Sequence, residues 1–125
     1  MVTDQTQAAA FYTTKLGFAI KHQLELAPGL FWLTVVAPGD VVELSLEPAT
    51  MEGGNPKAIE FQREMFARNI PLFALEVDDL DAEHARLTAL GVAFTSEPRE
   101  EGPIKRAILS DTVGNLLMLY QPLGA

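Results

Sequence analysis

Glu43 is the side chain of this sequence best placed to do chemistry. It interrupts an apolar run, Val41-Val42-Glu43-Leu44, where a carboxylate drawn out of water must be paired, hydrogen-bonded or pushed towards its protonated form. A group so placed can serve as an acid–base catalyst, as an anchor for a cation or as one ligand of a metal ion. Strand alternation puts Val41, Glu43, Ser45 and Glu47 on one face, and with unbroken alternation Glu76 joins them from another extended segment. Three carboxylates then line one hollow or its rim. Glu43 is the candidate catalytic and ligand-binding residue. Glu47 and Glu76 are either solvated strand-end groups or ligand contacts, and Glu76 is carried as a ligand-binding candidate.

The remaining reactive chemistry is thin. His22 and His84 lie far apart and belong to no ligand-spaced pair. His84 flanks a helical apolar stripe, a structural place, while His22 between Ile20 and Leu24 either enters the hollow or turns away from it. The absence of cysteine rules out a thiol nucleophile, a thiolate metal site and a disulfide framework, and suggests a reducing, cytoplasmic home. No serine sits in a nucleophile elbow, and Gly53-Gly54 lacks the strand–turn–helix setting of a phosphate loop. Covalent catalysis therefore has no candidate.

Aromatic residues favour binding over reaction. Phe31 and Trp32 are adjacent on one strand, so one of them faces the hollow; Trp32 is the candidate carried forward. Phe61, Met65 and Phe66 are spaced to pack across a module junction or subunit interface. Lys105 and Arg106 are an adjacent basic pair whose side chains must diverge, so either can meet a carboxylate.

These residues need a scaffold, and composition bounds it. A chain of 125 residues, 48% hydrophobic, has enough apolar surface for a core without metal or disulfide staples. Seventeen acidic against nine basic residues leave a net charge of −8, which repels nucleic acid and anionic membranes. The longest apolar run, Leu116 to Tyr120, is far too short to span a bilayer, and the N-terminus lacks a signal-peptide layout. The expectation is a soluble, unprocessed protein that binds neither nucleic acid nor membrane.

The pattern then resolves into elements. Ala8, Tyr12 and Leu16 recur every four residues up to Gly17 and predict a helix. Strands follow at Phe18–Leu26, Leu30–Val36 and Val41–Glu47, separated by Pro28-Gly29 and Pro38-Gly39-Asp40. Residues 48–56 read as loop, and Asn55-Pro56 opens a helix over about 57–69. The series restarts with a strand at Leu72–Val77, a helix capped by Asp78 or Asp79 and ended by Gly91, and strands at Val92–Thr95, Ile104–Leu109 and Asn115–Gln121.

The restart is an internal repeat. Val2-Thr3-Asp4 matches Val77-Asp78-Asp79 at an offset of 75, Leu16-Gly17-Phe18-Ala19 matches Leu90-Gly91-Val92-Ala93 at 74, and Val42-Glu43-Leu44 matches Leu117-Met118-Leu119 at 75. The chain thus reads as one α+β domain over 1–125, built from two tandem βαβββ modules. Module one covers 1–47, a connecting loop and short helix cover 48–70, and module two covers 71–121. The same offset puts the opening strand of module one largely before Met1, so the natural chain begins upstream, has been trimmed, or carries a stub.

Two such modules with Phe11-Tyr12-Thr13-Thr14-Lys15-Leu16-Gly17-Phe18, Val77-Asp78-Asp79-Leu80, Leu90-Gly91-Val92-Ala93-Phe94 and Asp111-Thr112-Val113-Gly114-Asn115 resemble the vicinal oxygen chelate superfamily, the glyoxalase, bleomycin-resistance and extradiol-dioxygenase group. The resemblance implies two cupped mixed sheets and a metal, when present, held by residues of the first and last strand of each module. It casts Glu43 as the carboxylate ligand of module one, with Met118 as its symmetry partner, and puts Leu72 in the first-strand slot of module two. Leucine cannot coordinate and a thioether prefers soft ions, so no metal ligand is assigned.

Tyr120 shares the Met118 face. Glu43, Trp32, Leu72, Glu76, Met118 and Tyr120 are accordingly the expected ligand-binding set. The leading expectation is a metal-independent small-molecule binding protein, a homodimer whose partner is a small amphipathic or cationic ligand held in the sheet cup. The alternative is a divalent-metal lyase or dioxygenase whose site is completed by a missing strand or partner subunit. A third is an adaptor recruiting a protein through open sheet edges.

Overall fold

A computed structural model describes residues 1–39, 42–47 and 56–124. Asp40, Val41, residues 48–55, with Gly53-Gly54, and Ala125 lie outside the described residues. The described elements run α1 (Gln5–Thr14), β1 (Ala19–Ala27), β2 (Leu30–Val36), β3 (Glu43–Ser45), α2 (Pro56–Ala67), β4 (Phe73–Glu76), α3 (Leu80–Ala89), β5 (Arg99–Glu101), β6 (Ile104–Ser110) and β7 (Leu116–Pro122). They fall into two compact units, Met1–Gln62 with Thr112–Gly114 and Arg63–Asp111 with Asn115–Ala125.

In the first unit, Asp4 caps α1 by accepting the Gln7 N–H at 2.8 Å. The helix stops at Gly17, whose φ of +76° is open to glycine at little cost, and the Phe18 N–H folds back onto the Tyr12 carbonyl at 2.9 Å. Ala8, Phe11 and Tyr12 are buried, as are Leu33 and Val35 of β2 and Leu46 beyond β3. The sheet order is β1-β2-β3, antiparallel throughout.

Gln5 locks the start of α1 to this sheet. Its Nε2 donates to the carbonyls of Phe31 and Leu46 at 2.8 and 2.9 Å, and its Oε1 accepts the Phe31 N–H at 3.1 Å. The expected opening strand is present as a single contact: the Val2 N–H donates to the Glu47 carbonyl at 2.7 Å.

The second unit repeats the plan with a fuller first strand. Its order is β4-β7-β6-β5, with β4 parallel to β7 and the other pairs antiparallel. Asp79, rather than Asp78, caps α3 and accepts the Ala82 N–H at 3.0 Å. Leu80 and Leu87 of the helix, and Ala107, Leu109, Leu117 and Leu119 of the sheet, are buried. The Asp111 carboxylate accepts the Asn115 backbone and side-chain N–H groups at 3.0 and 2.8 Å, which closes the turn between β6 and β7.

Two expectations change. The strand at Val92–Thr95 reduces to one bridge, Phe94 with Leu109, and the ladder resumes at β5. Ser96 explains the gap, because its hydroxyl accepts the Ile108 N–H at 3.0 Å in place of a strand carbonyl, and Pro98 has no N–H to offer. β1 alternates in sequence yet is exposed along its length, including Ile20, Leu24 and Leu26. Its pairing with β2 shifts register between Ile20 and His22 and again between Glu25 and Ala27, which breaks the two-residue period.

Replacing Gln5 strands three buried or half-buried backbone groups. Gln5→Ala should cost about 2–3 kcal/mol in urea unfolding, and a loss near zero would show that the helix is held to the sheet by apolar packing alone.

Candidate functional site

The site of the first unit follows from what α1 seals. Leu33 and Val35 are buried in its core, so the pleat turns Trp32, Thr34 and Val36 to the opposite face. Across the sheet Leu24 stands opposite Trp32, His22 opposite Thr34, Thr34 opposite Ser45, and Val36 opposite Glu43. Trp32 and Leu24 are substantially open to solvent on this face, at 42% and 59%.

Glu43 gathers three partners. Lys21 Nζ lies 3.5 Å from its Oε2 and His22 Nε2 lies 3.8 Å from its Oε1. Consecutive residues of a regular strand point to opposite faces, and only the register shift between Ile20 and His22 lets both reach one carboxylate. The Thr34 hydroxyl is the largest influence drawing the Glu43 carboxyl below the ordinary glutamate value. Partial loss of water opposes it, and Lys21 and then His22 add to the lowering.

Thr34 is 1% exposed and its Oγ1 has no hydrogen-bond partner among the described residues. Beside this row, Gly17, Ala19, Ile20, Lys21, Val36 and Ala37 line an open cavity of about 480 Å³.

In the second unit, Leu117 and Leu119 are buried, which turns Met118 and Tyr120 to the other face. Ala74 stands opposite Met118 and Glu76 opposite Tyr120, so Leu72, Glu76, Met118 and Tyr120 share that face by alternation. Leu72 and Glu76 are exposed, Met118 and Tyr120 half-buried. Arg106 stands opposite Tyr120, with Nη1 3.8 Å from Met118 Sδ and Nε 2.5 Å from Glu101 Oε2. Lys105 goes the other way, to Asp81 on α3.

The equivalence of Glu43 with Met118 does not hold in the strand register. β2 and β6 share a buried triplet, Leu33-Thr34-Val35 and Ala107-Ile108-Leu109, at an offset of 74. Val36 pairs with Glu43 where Ser110 pairs with Leu116, and Thr34 pairs with Ser45 where Ile108 pairs with Met118. Glu43 therefore corresponds to Leu116, and Met118 to Ser45. The cause is the turn length, residues 37–42 against 111–115, one residue more in the first unit.

Either correspondence leaves one carboxylate against an apolar or thioether side chain. Among the described residues, no three His, Cys, Asp or Glu side chains are gathered to hold a metal ion. His84 lies with its ring 4.5 Å from that of Phe94, and its Nε2 is 3.7 Å from Glu97, outside both open faces.

Thr34, Lys21 and Arg106 extend the set read from the sequence. A lone threonine in Leu33-Thr34-Val35 with the parity of Trp32 was a usable signal. The bulge that brings in Lys21 leaves none.

The family model described as Glyoxalase/Bleomycin resistance protein/Dioxygenase superfamily matches residues 1–119. The chain belongs to this superfamily. Within it, the chain is 40% identical over 123 residues to the uncharacterised Bacillus subtilis protein YurT, covering 96% of this chain and 92% of that one. Among solved structures it is similar to UcmS2, at 31% identity and a TM-score of 0.80, with 95% of this chain and 90% of that chain covered. It is also similar to TnmS3, described as an antibiotic binding protein from Streptomyces sp. CB03234. There the identity is 30%, the TM-score 0.73, and the coverage 97% of this chain and 88% of that one. The superfamily fold, mixed α+β with paired modules, is the fold seen here.

A depressed carboxyl favours the ionised form in the folded state. Its stabilising contribution is full above the unfolded-state pKa and is lost as pH falls through the folded-state value. NMR titration of the Glu43 carboxyl should give a midpoint below the ordinary glutamate range, raised by Thr34→Val and, to a smaller extent, by Lys21→Met. An ordinary midpoint in the native protein would contradict this picture of the site.

Proposed function

We propose that this member of the superfamily is a metal-independent small-molecule binding protein. It takes an amphipathic or cationic compound, with Glu43 as polar anchor and Trp32, Leu72, Glu76, Met118 and Tyr120 as ligand-lining residues of the open sheet faces. The observation that carries the reading is an ionised carboxylate on a sheet face that also carries an open indole ring, with no three metal-ligating side chains gathered there among the described residues. Similarity to the antibiotic binding protein TnmS3 supports it.

The protein works in this reading as a cytoplasmic homodimer, consistent with a chain free of cysteine and with the exposed Phe61 and Phe66 that a second copy would cover. The metal-dependent lyase or dioxygenase reading would have to build on Glu43 and His22, 3.8 Å apart.

Calorimetric titration with amphipathic amines tests the proposal. Binding should occur without added metal and weaken about tenfold or more in Glu43→Gln, the loss expected for a hydrogen bond to a charged group. A thermal shift with Mn, Ni, Zn or Fe decides against it if any of them stabilises the protein saturably, since a true site at 100 times its Kd adds about 2.7 kcal/mol.

A further inference from the structure

Three features meet at the Glu43 row. Lys21 reaches the carboxylate at 3.5 Å, beyond a good N–H···O distance, and both side chains are well exposed, at 46% and 37%. The buried Thr34 hydroxyl next to them lacks a hydrogen-bond partner among the described residues. The bulge that turns Lys21 inward interrupts the ladder of a strand whose side chains are all exposed, so core packing does not explain it.

A carboxylate with a loosely held cation and, at its side, a hydroxyl without a hydrogen-bond partner among the described residues is a cation site only partly satisfied. We propose that Lys21 is a tethered stand-in for the ligand's cation: it holds Glu43 in the free protein, and a primary ammonium group displaces it, donating to Glu43 and to Thr34 Oγ1. This rests on the binding reading above and specifies the ligand.

A primary ammonium has three donors, enough for the carboxylate and the hydroxyl together, whereas a quaternary ammonium has none. The pair it displaces is of the exposed kind whose net worth is small, so the exchange costs little. The apolar end of the ligand is set by Trp32 and Leu24. Trp32 lies four residues along β2 from Val36, the partner of Glu43, or roughly 13 Å at the rise of a strand. The class indicated is an aryl-alkyl primary amine of about that length.

Trp32 is the single tryptophan of the chain, so energy transfer from it to a dansyl group reports binding, and the Lys21 and Thr34 variants assign it to this face. The probes are dansylcadaverine, with a primary ammonium at the end of a pentyl chain, its uncharged N-pentyl dansylamide analogue, and the dansyl-aminohexanoate anion. Dansylcadaverine should bind tightest. Lys21→Met should tighten it relative to the uncharged analogue by about two- to fivefold, the release of one exposed ion pair. Thr34→Val should weaken it without changing the uncharged probe, with circular dichroism confirming that both variants fold.

An unchanged or weaker relative affinity in Lys21→Met overturns the inference. So does preference for the carboxylate probe that disappears in Lys21→Met, because Lys21 would then be the anchor itself. If the uncharged analogue binds as well as dansylcadaverine to native protein, the binding reading stands and the ammonium site falls. If none of the three probes binds, both fall.

Discussion

A helix seals one face of each sheet, and the pleat of the strands leaves the intervening side chains nowhere to go but the other face. In the first unit Leu33, Val35 and Leu46 are committed to the core with Ala8, Phe11 and Tyr12, and Trp32, Thr34 and Glu43 are thereby committed to the open side. In the second unit the buried Leu117 and Leu119 commit Met118 and Tyr120 in the same way. Gln5 makes the first arrangement hard to slip. It grips both the Phe31 backbone and the Leu46 carbonyl, so a shift of β2 against the end of β3 would break its hydrogen bonds.

The two open faces carry different sets of polar groups. One carries a carboxylate, a hydroxyl, two basic side chains and an indole; the other carries a thioether, a phenol, a guanidinium and a carboxylate. Among the described residues, neither gathers three side chains that could hold a metal ion. The acid of the first face stays charged because nearby polar groups favour its ionised form over the opposing loss of water. A carboxylate held in its ionised form and an exposed ring further along the same face would suit a ligand with one polar end and one flat end.

Much of this was legible in the sequence, and the failures have specific causes. Nine of the ten expected elements lie within a few residues of their expected places, helped by the helix stops Gly17 and Gly91, left-handed residues with φ of +76° and +85°. The grouping of Leu72, Glu76, Met118 and Tyr120 followed from alternation along short, regular strands. The pairing of Glu43 with Met118 failed because a three-residue apolar–any–leucine match cannot register a turn that is one residue longer. Val92–Thr95 failed because a serine side chain took the place of a strand carbonyl. Lys21 was invisible because a bulge obeys hydrogen-bond geometry that the pattern of apolar residues does not encode.

That bulge ties the length of a strand to the charge of a surface. Between Ala19 and His22 the first strand holds one residue more than β2 can match, and the surplus is what brings two successive basic side chains onto a single acid. A relative lacking one residue there would regain a flat, regular edge, and its lysine and histidine would part to opposite sides. Insertions and deletions in β1, more than substitutions at Glu43, are then the changes that would reset the balance of charge on this face.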